Sequence, residues 1–227
     1  MLKVIPSIHS LNYDVKLFDF LDLKFYGLIS LDDSIDKLCE VLGSEKKDDA
    51  LKEDYCPYFG IPWEAGLGLA QYLNNYELKS KTVLEIGSGL SLPSFVAMRN
   101  GAKVLASDFH GDVKTFLDIN QKLNGIFFDY FQMNWRKENT INGKFDLVIG
   151  SDILYESAHP DFVSRTLINY LNEGGKIILS DPGRAYIQKF VTSMNNLGFQ
   201  ETMKVVTVNT DWTKKDIFVF VFEKKKN

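Results

Sequence analysis

Glu85, Gly87, Gly89 and Ser91 occupy alternate positions in Val83-Leu84-Glu85-Ile86-Gly87-Ser88-Gly89-Leu90-Ser91. The apolar run before Gly87 reads as a strand, and Leu92 to Met98 reads as a helix. A strand that turns on glycine into a helix N-terminus offers backbone N–H groups to a ligand. Glycine suits such a turn because a side chain would hold the ligand away. Glu85, Gly87, Ser88, Gly89 and Ser91 are therefore candidate binding residues. The competing role is purely structural, a glycine turn that ends a buried strand. A second apolar run, Lys103-Val104-Leu105-Ala106-Ser107, ends in Asp108. A carboxylate at that point can accept both hydroxyls of a nucleoside ribose. The alternative for Asp108 is to cap the helix that starts near Gly111.

A fourth apolar run, Phe145-Asp146-Leu147-Val148-Ile149-Gly150, leads into Ser151-Asp152-Ile153-Leu154-Tyr155. Open α/β sheets bind ligands beyond the carboxyl ends of their strands. Asp152 and Tyr155 thus fall where a substrate would meet a bound nucleoside. Otherwise Asp152 caps a loop and Tyr155 packs. Trp63 precedes the first regular helix, and Asn134-Trp135 follows the third strand, where a purine would lie. A tryptophan beside a purine can stack on it, although any single Trp is more often core than ligand wall.

The elements that position these residues follow from periodicity. Residues 1–30 hold two or three short strands, around Tyr13–Phe18 and Lys24–Tyr26. Asp32 to Leu42 is amphipathic, with Ile35, Leu38, Val41 and Leu42 on one face, and Gly43 ends it. A charged stretch then runs through Asp54. From Trp63 the pattern is regular. A helix at 63–75 precedes strands at 82–86, 103–107, 126–131, 145–150 and 175–180. Helices at 91–100, 111–124, 159–172 and 184–197 alternate with them. Such alternation means a parallel sheet with helices on both faces. Val205 and Ile217 lie in two last strands, 204–208 and 217–222, too close for a crossover helix, so they pair as a hairpin.

Composition narrows the classes. A chain of 227 residues, 45% hydrophobic, suits one domain with an elaboration. A net charge of −4 gives no general drive toward nucleic acid or anionic membrane. No apolar stretch reaches the length of a membrane span, and the N-terminus does not read as a signal peptide. Cys39 and Cys56 form no C-x-x-C pair and no metal-ligand spacing. They read as thiols of a reducing compartment, which makes the expected location cytoplasmic.

The glycine loop resembles motif I of class I S-adenosyl-L-methionine (SAM) methyltransferases, acidic-x-Gly-x-Gly-x-Gly, with Ser91 in place of the third glycine. The dinucleotide pattern instead places Leu92 where its third glycine belongs. An acid beside the turn also suits a ligand without a pyrophosphate. From Pro57 onward the chain resembles the seven-β-strand protein methyltransferases called lysine methyltransferase family 16. The resemblance rests on Trp63 with Gly66-Leu67-Gly68-Leu69-Ala70, the Glu85–Ser91 loop, Asp108, Asn134-Trp135, and Asp152-Ile153-Leu154-Tyr155 as a D-x-x-Y element. Pro57 to Trp63 and Ser180-Asp181-Pro182-Gly183-Arg184 look most like the electron-transfer-flavoprotein β-subunit lysine methyltransferases.

This resemblance implies a Rossmann-like, seven-stranded, mostly parallel sheet with a C-terminal antiparallel hairpin. It implies an N-terminal extension over 1–55 and a SAM-dependent methyltransferase domain over 56–227. It implies a SAM site built from Trp63, Glu85, Gly87, Ser88, Gly89, Ser91, Asp108, Asn134, Trp135 and Ser151, with Glu85 facing the amino-acid end of the cofactor. Asp152 and Tyr155 are the expected catalytic pair, and Asp152-x-x-Tyr155 is the family's substrate-lysine element. Methyl transfer needs alignment, a dry site and an unprotonated amine, and it requires no metal. The expected partner is a protein carrying the acceptor lysine, with a small-molecule amine as the alternative, and with no nucleic acid and no membrane; the sequence does not set the oligomeric state. Three other readings share parts of the pattern: a small-molecule, nicotinamide-type N-methyltransferase; a noncatalytic SAM-binding module; and an NAD oxidoreductase, which Leu92 disfavours.

Overall fold

A computed structural model describes residues 13–42, 56–137 and 141–225. The strand β3 (Thr82–Ile86) lies near the middle of a seven-stranded sheet of order β5-β4-β3-β6-β7-β9-β8. Its neighbours are β4 (Lys103–Asp108) and β6 (Phe145–Ser151), both parallel to it. The parallel set is completed by β5 (Asp129–Gln132) and β7 (Leu171–Asp181). The chain therefore reverses its direction of travel across the sheet between β3 and β6. A crevice opens at such a switch point. The strands β8 (Phe199–Asn209) and β9 (Lys214–Lys224) form the antiparallel hairpin. β9 joins the sheet by pairing antiparallel with β7.

Side-chain alternation sorts the strands between two layers. Val83, Leu147, Ile149, Ile178, Val219 and Val221 face one core. It is covered by the helices α2 (Glu64–Asn74), α3 (Leu92–Arg99) and α4 (Val113–Asn124). Leu84, Ile86, Val148, Ile177, Leu179 and Phe222 face the other. There α5 (His159–Asn169) and α6 (Ile187–Asn196) pack through Val163, Leu167, Phe190 and Met194. The N-terminal part adds a hairpin, β1 (Val15–Phe20) with β2 (Leu23–Leu28), followed by α1 (Leu31–Leu42). Phe18, Leu23, Phe25 and Leu28 belong to the first core, so the hairpin is continuous with the helical layer it covers. Asn120 fixes it there: its Oδ1 accepts from Tyr26 N and its Nδ2 donates to Tyr26 O.

The expected elements are present, with shifted boundaries. The third strand begins at Asp129 rather than at residue 126. Gly125 ends α4 in the left-handed region, and the Phe128 carbonyl is taken by Gln121 Nε2, so the linker cannot join the ladder. The fifth strand begins at Leu171, where residues 159–172 read as helix. It pairs with Phe145, and the register then slips before Leu147. The last helix starts at Ile187, not 184, because Asp181 Oδ1 holds the amides of Gly183 and Arg184 in a turn. Ile35 and Leu38 are buried as expected on α1. The side chains of Val41 and Leu42, the stop at Gly43 and the charged stretch to Asp54 lie outside the described residues.

Candidate active site

The glycine turn is bonded to the end of the neighbouring strand. Ser88 N donates to Ser107 O at 2.9 Å, and Gly89 N donates to Asp108 Oδ2 at 2.8 Å. Two amides that the sequence offers to a ligand are thus used internally. The glycines serve close approach instead. Gly87 and Gly89 have φ of 63° and 47°. A Cβ on Gly87 would lie 2.6 Å from Ile153 Cγ2 and 3.1 Å from the Trp135 ring, and one on Gly89 would lie 2.9 Å from Phe59 O. No side chain fits at either position. Ser91 is also left-handed, at φ 59°, and makes no side-chain cap to α3.

Glu85 supplies what Ser91 does not. It shares a strand face with Val83, so it points under α3. Its Oε2 accepts from Ser94 N at 3.1 Å and from the Ser94 hydroxyl. A carboxyl group from the preceding strand thereby takes up a first-turn helix amide. Glu85 is wholly buried, and burial pushes its carboxyl up to about 8. Its Oε1 and the Ser88 hydroxyl are shielded from solvent and have no partner among the described residues.

A cleft follows the carboxyl ends of β3, β4 and β6. One part of it, with about 590 Å³ of open space, is lined by Gly87, Gly89, Asp108, His110, Trp135 and Ser151 among others. A second part runs under the glycine turn past Ser88, Ser91 and Trp63, and shares Phe59, Trp63, Gly87, Gly89 and Ser151 with the first. Asp108 is not the cap of α4, since that position belongs to Asp112. Its Oδ1 accepts from His110 N at 3.0 Å, and its Oδ2 takes the Gly89 amide. Burial raises the Asp108 carboxyl above the usual range. A carboxylate has about four lone-pair sites, so acceptor capacity remains for a ligand hydroxyl.

A third part of the cleft, about 710 Å³, is lined by Tyr58, Trp63, Asp152, Tyr155 and Arg184, and it shares the first four with the Asp108 side. Asp152 sits at φ 55°, a left-handed conformation that Asp tolerates better than most residues. Its amide donates to Ser180 O, and its carboxylate accepts two bonds from Arg184, through Nε and through Nη2 at 2.8 Å. Tyr155 leans on Tyr58 at 6.1 Å and stands edge-on to the buried His159 at 4.6 Å. His159 also meets Trp135 edge-on at 5.6 Å, so one imidazole packs against both ends of the cleft. The Trp63 indole N–H donates to Tyr58 O at 2.8 Å, which fixes its ring over the junction.

The structure therefore brings Trp63, Gly87, Ser88, Gly89, Ser91, Asp108, Trp135, Ser151, Asp152 and Tyr155 to one cleft. Glu85 and Asn134 are not among the lining residues. Glu85 lies beneath α3, and Asn134 Oδ1 accepts from Arg136 N in the turn that carries Trp135. Tyr58, Phe59, His110, Ile153 and Arg184 line the cleft without having been assigned a role from sequence. Their signals were available: the aromatic pair lies just ahead of Trp63, and His110 and Arg184 follow strand ends.

The residues fit a nucleoside carrying an amino-acid tail. The glycine turn admits a ligand at backbone distance, the Ser88 hydroxyl has no partner among the described residues, and Asp108 retains acceptor capacity beside the aromatic wall of Phe59, His110 and Trp135. No described helix is long and apolar enough to cross a membrane. Among solved structures, a Thermus thermophilus 16S rRNA N2 G1207 methyltransferase in complex with AdoMet and guanosine matches with TM-score 0.61 at 16% identity. That match covers 97% of this chain and 52% of the other. It shows a shared Rossmann-like methyltransferase fold. The electron transfer flavoprotein beta subunit lysine methyltransferase of Mus musculus is 35% identical over 133 residues, 56% of this chain and 51% of that protein. The protein N-terminal and lysine N-methyltransferase EFM7 of Candida glabrata is 30% identical over 166 residues, 65% of this chain and 63% of that protein. The chain spans about half the length of the mouse relative and under two thirds of the other. The family model described as lysine methyltransferase matches residues 52–197, more than half of the chain, and the chain belongs to that family.

Proposed function

We propose that the protein is a SAM-dependent N-methyltransferase that modifies a lysine side chain of a protein. The observation that carries this reading is the continuity of the two pockets: the Asp108 side and the Asp152–Arg184 side share Tyr58, Trp63, Asp152 and Tyr155. Relatives named as protein-lysine methyltransferases support the choice of acceptor. The free cysteines Cys39 and Cys56 support a reducing compartment, with the cytoplasm as our assignment.

Ser88 and the glycine turn would hold the amino-acid end of SAM, Asp108 its ribose, and Trp135 with Phe59 and His110 its purine. Bound there, SAM supplies an electrophilic methyl group on a positively charged sulfur. Asp152 and Tyr155 would orient a lysine amine so that its lone pair addresses that carbon. Trp63 and Tyr58 would close the junction to water. Alignment and water exclusion are the main contributions available to a protein in such a displacement.

The test is incubation of the purified protein with methyl-labelled SAM and an extract of cells that lack it. Label recovered as methyl-lysine in protein bands is the expected result. Label confined to small molecules would transfer the assignment to a free-amine methyltransferase, and SAM binding without any product would make the protein a binding module.

A further inference from the structure

We propose that Arg184 sets the protonation state of the acceptor, making the Asp152 pocket select a neutral primary amine over an ammonium ion. The proposal rests on the methyltransferase reading and adds a positioning residue to it. Arg184 donates to both Asp152 oxygens, and the pair together lines the pocket with Tyr58, Trp63 and Tyr155. Asp152 is nearly buried, whereas the Arg184 side chain is about a third exposed. A buried carboxylate alone would draw in a lysine as its ammonium form, which has no lone pair to give. A fixed guanidinium on the same carboxylate cancels that pull. Asp152 keeps lone pairs free to accept an amine N–H, so orientation survives while the preference for a cation does not.

The neighbouring acids among the described residues are engaged elsewhere. After β6, Glu156 is paired with Arg136 at 3.0 Å. After β7, Asp181 has Oδ1 committed to the amides of Gly183 and Arg184, and burial raises its carboxyl above the usual range. From α5, His159 presents its ring to Tyr155, and from the turn before α2, Tyr58 and Trp63 present rings. On the Asp108 side, that carboxylate is bound by the amides of Gly89 and His110. Aromatic faces do attract a cation. With Arg184 removed, rings and carboxylate would act together on the ammonium form. Arg184 was legible only as part of Asp181-Pro182-Gly183-Arg184; Gly183, at φ 95°, turns the chain so that the guanidinium meets Asp152.

The experiment uses n-butylamine as a lysine side-chain probe, titrated by NMR into the full chain saturated with S-adenosylhomocysteine. Saturation is first verified by calorimetry; absence of that binding would overturn the methyltransferase reading itself. For the loaded wild type between pH 6.5 and 9.5, apparent affinity for butylamine should rise about tenfold per pH unit, as the neutral fraction of an amine with a pKa near 10.4 rises. Arg184→Met should bind with little pH dependence and more tightly than wild type at pH 7. Arg184→Lys, which keeps a positive charge at Asp152, should retain the wild-type slope. A flat wild-type profile, equal slopes in wild type and Arg184→Met, or no butylamine binding by the loaded wild type would overturn the proposal.

Discussion

The amide of Gly89 donates to Oδ2 of Asp108 at 2.8 Å, so the glycine turn after β3 is held by the acid at the end of β4. From sequence, Asp108 has one of two roles, ribose acceptor or helix cap. The structure adds a third, as the tie between two ligand-facing loops, with His110 N on its other oxygen. Asp108→Ala should therefore weaken SAM binding and also lower the stability of the ligand-free protein. Each loss should be about 1–3 kcal/mol, the scale of hydrogen bonds to a charged group and of buried donors left unpaired. Calorimetry with SAM and denaturant titration without it measure the two effects separately. An unchanged ligand-free midpoint would contradict the tie.

Gly87 gives a sharper steric test. Its φ of 63° disfavours any Cβ, and that Cβ would lie 2.6 Å from Ile153 Cγ2. Ile153 immediately follows Asp152, so relief by moving Ile153 would disturb the acceptor side. Gly87→Ala should cost on the order of 1–3 kcal/mol of stability. It should also reduce SAM affinity and turnover together. A variant with wild-type melting behaviour and reduced activity would show that the turn has room the distances deny.

The buried Glu85 predicts a pH dependence. Burial holds its carboxyl at about 8 in the folded protein, above the ordinary glutamate value of 4.5. Desolvation is the main cause, with the two Ser94 hydrogen bonds opposing it. The folded protein thus keeps a proton that the unfolded chain releases. This contribution is fully present below about 4.5 and is lost as pH rises to about 8. Glu85→Gln cannot ionise, so its stability relative to wild type should improve from pH 5 to pH 8 and level off above. The change is on the order of 1.4 kcal/mol for each pH unit of that window. Urea midpoints of both proteins at pH 5, 7 and 9 would measure it; parallel profiles would mean that Glu85 is ionised throughout.

Much of the site was legible because strand ends are legible. Apolar runs ending at Gly87, Asp108 and Ser151 place those residues on one edge of a parallel sheet. What escaped were relations across elements. Asp152 and Arg184 meet because β6 and β7 are neighbours and both chains turn sharply, one at Asp152 and one at Gly183. Neither adjacency nor turn direction is a local property. Tyr58 and Phe59 enter the cleft from a short 3-10 turn, Tyr58–Gly60, whose docking depends on Gly60 fitting against Leu28 of the N-terminal hairpin. Glu85 is a different case. Its alternation with Val83 already assigns it to the α3 face, so the inward direction could be read from period alone.

Tyr155 separates turnover from binding. Its ring lines both the Asp108 side and the Arg184 side of the cleft, held edge-on by His159. Tyr155→Phe preserves that packing and removes only the hydroxyl. If the hydroxyl orients the amine, kcat and kcat/KM for the protein acceptor should fall together by about ten- to a hundredfold, while SAM affinity stays within about twofold. Asp152→Ala should show the same split with a larger loss, since it also releases the Arg184 charge into the pocket. Both variants are to be assayed on the labelled acceptor bands, with SAM affinity measured by calorimetry. A fall in SAM affinity that matches the fall in turnover would assign the two side chains to the cofactor and leave the acceptor to be positioned by Tyr58 and Trp63.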